Sequence, residues 1–252
     1  MANNNNIEIS FNPTKDQLNE IKKWLIEEKK STGESFYNNW NIIKSSFNEN
    51  ELITISVDKQ TIGFVVWSLC CFDKYSAKID ITAIKPSHRN KGFGRKIVSE
   101  LILELINKNV YTVELECSPR SSEQFWRHLG FIDFPAHNYR FGIYKQLYKI
   151  IVPHLVIQET NTVDECIELW DNVLADTKEL DPTWKWNLIF KNGTSELEMP
   201  IIHPCFDNDW RIRWKKVNKI IRDDKVKYFS KTNIKFGDFI VIKEVPKYNI
   251  NE

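Results

Sequence analysis

The stretch that decides the fold is residues 78–94, KIDITAIKPSHRNKGFG. Its first seven residues alternate: Ile79, Ile81 and Ala83 take one face of a strand, while Lys78, Asp80 and Thr82 take the other. Pro86 ends the strand, and Arg89-Asn90-Lys91-Gly92-Phe93-Gly94 follows as a glycine-bearing turn. Beyond Gly94, residues Ile97, Val98, Leu101, Ile102, Leu105 and Ile106 recur on one face at helical spacing, and Asn107 to Asn109 marks a stop. The pattern predicts strand, glycine turn and long helix. Such a turn suits a pyrophosphate. Glycines let a ligand approach the backbone N–H groups, and a helix N-terminus offers unpaired donors at the positive end of its dipole. Arg89, Lys91 and Arg95 add cationic charge beside it. The spacing fits neither G-x-G-x-x-G nor a Walker loop with G-K-[ST].

Working upstream, residues 7–11 alternate as a strand. Thr14 and Gln17 then form a capping box before Leu18, Ile21 and Leu25 at helical spacing. A second helix is predicted over 34–46, with Phe36, Trp40 and Ile43. Strands at Leu52–Val57 and Ile62–Leu69 flank a turn, Asp58-Lys59-Gln60-Thr61, that lacks the Asn-Gly signature of a hairpin. Downstream, Val110–Cys117 reads as a strand broken by Pro119. Ser121 and Gln124 open a short helix through Phe125, Trp126 and Leu129, and Gly130 closes it. Phe131–Phe134 and Phe141–Leu147 are the last strands of this half. The order β-α-α-β-β-β-α-β-α-β-β is a mixed α/β layout.

After about residue 155 the character changes. Thr162 and Glu165 are read as opening a helix with Val163, Cys166, Ile167, Trp170 and Leu174 on its face. Trp184, Trp186 and Leu188 alternate with polar residues, Asn192-Gly193 is a hairpin turn, and Leu197, Met199 and Ile201 alternate beyond it. Trp210, Ile212 and Trp214 alternate with Arg211, Arg213 and Lys215, and Phe239–Val245 is a final strand. The expectation is two domains: residues 1–152, a central mixed sheet flanked by helices, and residues 153–252, a smaller α+β, mostly β, accessory domain. Trp210–Lys231 is basic and interleaved with Trp214, Tyr228 and Phe229, a pattern able to stack bases and neutralise phosphates. A strand with a solvated basic face is the plainer reading.

Bulk properties narrow the class. The 252 residues are 42% hydrophobic and 27% charged, with a formal net charge of +1, so the whole molecule is no generic polyanion binder. No window approaches the ~20 apolar residues of a membrane span, and the asparagine-rich start is no secretory signal. The cysteines at 70, 71, 117, 166 and 205 are odd in number and unpaired in spacing, which points to a reducing, cytoplasmic setting. His203 and Cys205 share one short loop, but two ligands do not make a zinc site, so no metal is expected.

Two blocks together resemble the GNAT acyltransferase superfamily over roughly residues 6–150. Its motif A is an apolar strand, a Pro, Q/R-x-x-G-x-G/A and a helix, matched by Ile81 to Gly94. Its motif B is a strand, a short helix and a Gly-Phe, matched by Val113–Cys117 and by Phe125-Trp126-Arg127-His128-Leu129-Gly130-Phe131. The resemblance implies acetyl-CoA as donor. Arg89, Asn90, Lys91, Gly92, Phe93, Gly94 and Arg95 would hold its pyrophosphate. The backbone of Ala83, Ile84 and Lys85 would pair with the pantetheine arm, the N–H near Ile84 would polarise the thioester, and Ser122 and Trp126 would lie on the motif B side. It also implies direct transfer to an amine, with a general base and a general acid for the departing thiolate. Trp126 stands where many members carry the acidic Tyr, and an indole cannot serve as that acid. Tyr139 and Tyr144 are the alternatives. Asp80, on the strand face opposite Ile79 and Ile81, is the candidate base. Cys117 reads as a structural thiol and His88 as a solvated loop residue. Three readings follow: acetyl transfer to a small-molecule or protein amine; acetyl transfer to an aminoacyl-tRNA through the basic segment; and an acyl-CoA sensor without turnover. An added domain on such a core shapes the acceptor site or makes a homodimer.

Overall fold

The computed structural model describes residues 6–70, 73–135, 144–157, 165–173, 180–217, 219–229, 234–235 and 239–245. The chain clusters into two compact units: residues 1–70, 77–132 and 142–151 in one, and 71–76, 133–141 and 152–252 in the other.

The first unit follows the expected order. Strand β1 (Ile7–Ser10) leads into helix α1 (Lys15–Thr32). Thr14 Oγ1 accepts the Gln17 N–H at 3.3 Å, and Gln17 Oε1 accepts the Thr14 N–H at 2.8 Å, so the capping box forms as written. Gly33, at φ 80°, ends α1 by donating its N–H to the Lys29 carbonyl. The second helix starts later than the spacing predicts. Phe36–Asn39 is a 3-10 turn capped by Ser35, and α2 is Trp40–Asn48. Strands β2 (Leu52–Val57) and β3 (Gln60–Cys70) make a hairpin whose turn is only Asp58-Lys59. Both turn residues have positive φ, 49° and 69°, which is the twist a two-residue hairpin requires, reached here without Asn-Gly.

Strand β4 (Asp73–Ile84) departs from the sequence reading. Ala77 and Ile79 pack with Ile97, Val98 and Leu101 of α3 (Phe93–Asn107), whereas Ile81 and Ala83 pack with Ile21, Trp24 and Leu25 of α1. Strict alternation would put all four on one face. The phase therefore slips by one between Ile79 and Ile81, as an extra residue in a strand does. After the slip Ile84 packs against the α3 side.

Strand β5 (Thr112–Cys117) pairs antiparallel with β7 (Lys145–Ile150), and the short helix α4 (Glu123–His128) precedes β6 (Ile132–Asp133). The seven strands lie in the order β1-β2-β3-β4-β5-β7-β6, with apolar clusters on both faces. This is the mixed α/β architecture expected for the N-terminal half.

In the second unit, β8 (Glu165–Val173) corrects the predicted helix. Cys166, Ile167, Glu168, Leu169 and Trp170 are all buried, so the strand is covered on both faces and its near-continuous apolar run imitates a helical stripe. Thr162, Val163 and Leu174 lie outside the described residues. Strands β9 (Trp184–Asn187), β11 (Trp210–Lys216) and β12 (Lys219–Lys225) join β8 in a sheet ordered β12-β11-β8-β9. Strands β10 (Glu196–Pro204), β14 (Phe239–Glu244) and β13 (Ile234–Lys235) form a second, and helix α5 (Val226–Phe229) follows β12. One core, including Ile167, Leu169, Trp186, Ile201, Ile212, Trp214 and Ile242, joins both sheets. The Asn192-Gly193 turn forms with Gly193 at φ 74°, closed by Thr194 N–H to the Lys191 carbonyl at 3.0 Å. His203 lies on β10 and not in a loop, and Cys205 follows directly after that strand.

Candidate functional site

The end of β4 and the start of α3 build one wall of a cleft of about 1090 Å³ in the first unit. Two left-handed residues shape the connecting turn: Asn90 at φ 61° and Gly92 at φ 83°. Gly92 is the N-cap of α3 and brings no side chain to the cap, so the first-turn amides have no intrahelical or capping partner up to Lys96, whose N–H bonds to Gly92 O at 3.0 Å. The two motif glycines have different reasons. Around Gly92 there is open space, and its φ is what needs glycine; at Gly94 a Cβ would meet the Phe125 ring at 3.3 Å. Behind this wall, Gly63 lets β3 approach β4: a Cβ there would fall 2.3 Å from Ile84 Cδ1 and 2.9 Å from the Ala83 carbonyl oxygen.

Of the residues predicted to hold a donor, Ala83, Ile84, Arg89, Asn90, Gly92, Phe93, Gly94, Arg95 and Ser122 line the cleft. Lys85, Lys91 and Trp126 do not. Lys85 commits its N–H to the Ile62 carbonyl at 2.7 Å. Lys91 Nζ donates to the Ser87 carbonyl at 2.9 Å, closing the turn on itself. Trp126 is core, edge-on to Phe125 at 4.9 Å and to Phe131 at 5.4 Å; its neighbour Phe125 is the ring that meets the cleft. Arg89 lines the cleft but its guanidinium is engaged: Nε donates to the Ile84 carbonyl at 2.8 Å and Nη2 to Glu28 on α1.

The proton-transfer candidates divide. Tyr144 lines the cleft and is exposed. Tyr139 lies outside the described residues. Asp80 is not among the cleft residues; it accepts from Ser68 Oγ at 3.1 Å and sits 3.8 Å from Lys78 Nζ. His88 lines the cleft. Burial first, then the positive charges of Lys91 and Lys85, push its pKa below the ordinary histidine value, so it is a neutral imidazole at pH 7. Burial raises the pKa of the Cys117 thiol, which keeps it protonated and unreactive at neutral pH.

The opposite wall was not legible in the sequence. It comes from the end of α1 and the 3-10 turn: Glu28, Glu34, Ser35, Phe36, Asn38 and Asn39. Ser118, Pro119 and Ser121 add polar atoms after β5. No motif marks these positions, and the spacing that predicts a helix over 34–46 hides the 3-10 turn that presents Ser35 to Asn39.

In the second unit the basic segment is internally compensated. Arg211 and Arg213 both bind Asp223, at 2.6 and 2.9 Å, and Arg213 and Lys215 both reach Glu168. Lys216 pairs with Glu165, Arg222 with Asp224, and Lys225 and Lys227 with Asp209. Trp214 and Phe229 are buried, so only Tyr228 of the interleaved aromatics offers a face to solvent. These pairs link cations to carboxylates across neighbouring strands. Among the described residues, no group of three or more His, Cys, Asp or Glu is placed to hold a metal ion, and no helix is long and apolar enough to cross a membrane.

A family model for the acetyltransferase (GNAT) domain matches residues 48–133. Among solved structures, the chain is similar to Ard1 from Thermoplasma volcanium: 16% identity, 58% of this chain and 99% of that one, TM-score 0.45. It is also similar to the PaiA N-acetyltransferase of Thermoplasma acidophilum in complex with coenzyme A: 18% identity, 57% and 99% coverage, TM-score 0.47. A third is a GNAT-family acetyltransferase of Staphylococcus aureus: 13% identity, 58% and 100% coverage, TM-score 0.47. No curated protein gives a significant match.

Proposed function

We propose, because a family model for the acetyltransferase (GNAT) domain matches residues 48–133, that this chain is an N-acetyltransferase that moves an acetyl group from acetyl-CoA directly to a primary amine. The observation that carries the reading is the uncapped N-terminus of α3 opening into the cleft behind Gly92 and Gly94. Acetyl-CoA supplies the acyl group as a thioester. The residues present fit its pyrophosphate: amides without intrahelical partners, a left-handed turn, and no Cβ at Gly94. Arg95 adds a cation to the lining.

In this reading the Ala83–Ile84 edge of β4 orients the donor, and Tyr144, on the wall of the same cleft, gives a proton to the departing thiolate. The Ser35–Asn39 wall receives the amine. Asp80 takes the amine proton through water, because it lies outside the lining of the cleft. Residues 1–152 are the acyltransferase domain and 153–252 an accessory domain, with the acceptor a small molecule or a protein amine. The paired cations of β11 and β12 favour this over an RNA acceptor.

The test is release of free CoA thiol from acetyl-CoA in the presence of a panel of primary amines, with mass spectrometry on the amines. Amine-dependent thiol release with an acetylated product supports the proposal. Saturable acetyl-CoA binding without turnover on any amine would favour the sensor reading instead.

A further inference from the structure

The Arg89–Glu28 contact joins the two walls of the cleft. Arg89 belongs to the turn before α3 and holds the end of β4 through the Ile84 carbonyl. Its Nη2 donates to Glu28, whose side chain is only 8% exposed. Glu28 in turn sits in the last stretch of α1, which is pinned to the opposite wall. Ser35 Oγ donates to the Leu25 carbonyl at 2.8 Å, and Lys29 Nζ donates to Asn38 Oδ1 at 2.7 Å while lying 5.7 Å from the Tyr37 ring centre. A buried carboxylate is held by a charge-assisted hydrogen bond to Arg89, on a different element, across 61 residues of chain.

We infer that Glu28 is a positioning residue: acting through Arg89, it couples the donor-binding turn to the Ser35–Asn39 wall, so that filling the donor side orders the acceptor side. The inference rests on the proposed donor site. It makes a prediction opposite in sign to simple electrostatics. CoA is a polyanion, and deleting a carboxylate that lines its cleft should tighten binding if charge alone matters. If Glu28 holds Arg89 in place, deleting it weakens binding, because the turn loses its brace.

The experiment is calorimetric titration of CoA into the full-length wild type, Glu28→Gln, Arg89→Gln and the double variant. Amide hydrogen exchange over residues 33–39 is followed with and without CoA. The expected result is about tenfold weaker binding for each single variant, with the double variant no worse than either, since both remove one shared interaction. CoA slows exchange over 33–39 in the wild type and fails to do so in Glu28→Gln. The exchanged pair Glu28→Arg with Arg89→Glu recovers part of the affinity. Unchanged or tighter binding in Glu28→Gln would overturn the inference, and with a weakened Arg89→Gln it would make Arg89 a direct ligand. A lowered melting temperature in Glu28→Gln with unchanged CoA affinity would reduce the pair to a structural bridge and overturn it equally. A wild type that binds no CoA would overturn the proposed donor site and this inference together.

Discussion

His203 makes the second unit sensitive to mild acid. It is buried on β10, with ring centres 4.3 Å from Trp184 and 5.3 Å from Trp186, and its Nε2 has no hydrogen-bond partner among the described residues. Burial lowers its pKa to about 3. The folded protein therefore keeps the ring neutral down to that pH, while the unfolded chain protonates it near 6.5. Below pH 6.5 the unfolded state binds more protons than the folded one, so stability falls as pH falls, and it keeps falling until the folded ring itself titrates. Between pH 7.5 and 5.0 the loss is about 2 kcal/mol, from roughly 1.4 kcal/mol for each pH unit below 6.5. Over that window ordinary carboxylates contribute little. The assay is urea denaturation across pH 5.0–7.5, followed by tryptophan fluorescence, on wild type and His203→Leu. Leucine has no proton to gain. Its packing cost shifts the whole curve but removes the share of the pH slope that His203 supplies, so the variant should lose about 2 kcal/mol less than wild type on acidification. Parallel curves for the two proteins would refute the reasoning, because the buried ring would then not be the source of the slope.

Other outcomes follow from the same structure. Gly92→Ala places an L-residue at φ 83° in open space and should cost about 1–2 kcal/mol by equilibrium denaturation, while Gly92→Asn recovers most of it, because asparagine tolerates that conformation. Asp223→Ala strips Arg211 and Arg213 of a shared partner in a mostly buried setting and should destabilise by about 3 kcal/mol. Burial pushes the Asp223 carboxyl up, but hydrogen bonds from both arginines hold it below the usual range. Its contribution is thus present above about pH 4 and lost as pH falls through its lower folded value, which denaturation between pH 2 and 5 measures. Asp80→Asn should reduce turnover less than the roughly 100-fold expected for loss of a base in direct contact with the amine, as steady-state kinetics would show.

How far the sequence carried depended on which surface each residue faces. The capping box at Thr14, the strand–turn–helix around Gly92 and the face of α3 rest on local rules, and they appear as read. The slip in β4 was invisible, because Ile79, Ile81 and Ala83 keep a perfect alternation in composition while the backbone changes phase beneath them. Strand β8 looks helical in sequence because burial on both faces erases the period of two. The Asp58-Lys59 turn lacks the expected glycine, and the pairing of its two strands holds a lysine at φ 69°. Within the site, the glycine turn was legible from its motif. The engagement of Arg89 with Glu28, the burial of Trp126 and the Ser35–Asn39 wall depend on contacts between distant segments, which no spacing rule encodes.

The central claim is that the cleft behind Gly92 and Gly94 holds acetyl-CoA, and calorimetric titration of acetyl-CoA into the full chain tests it most directly. Saturable one-to-one binding is expected, in the range of about 1 µM to 1 mM usual for enzyme substrates. That binding should be lost in Gly94→Leu, whose side chain would be driven into the space held by Phe125. Absence of binding by the wild type at millimolar acetyl-CoA, or undiminished binding by the folded variant, would contradict it.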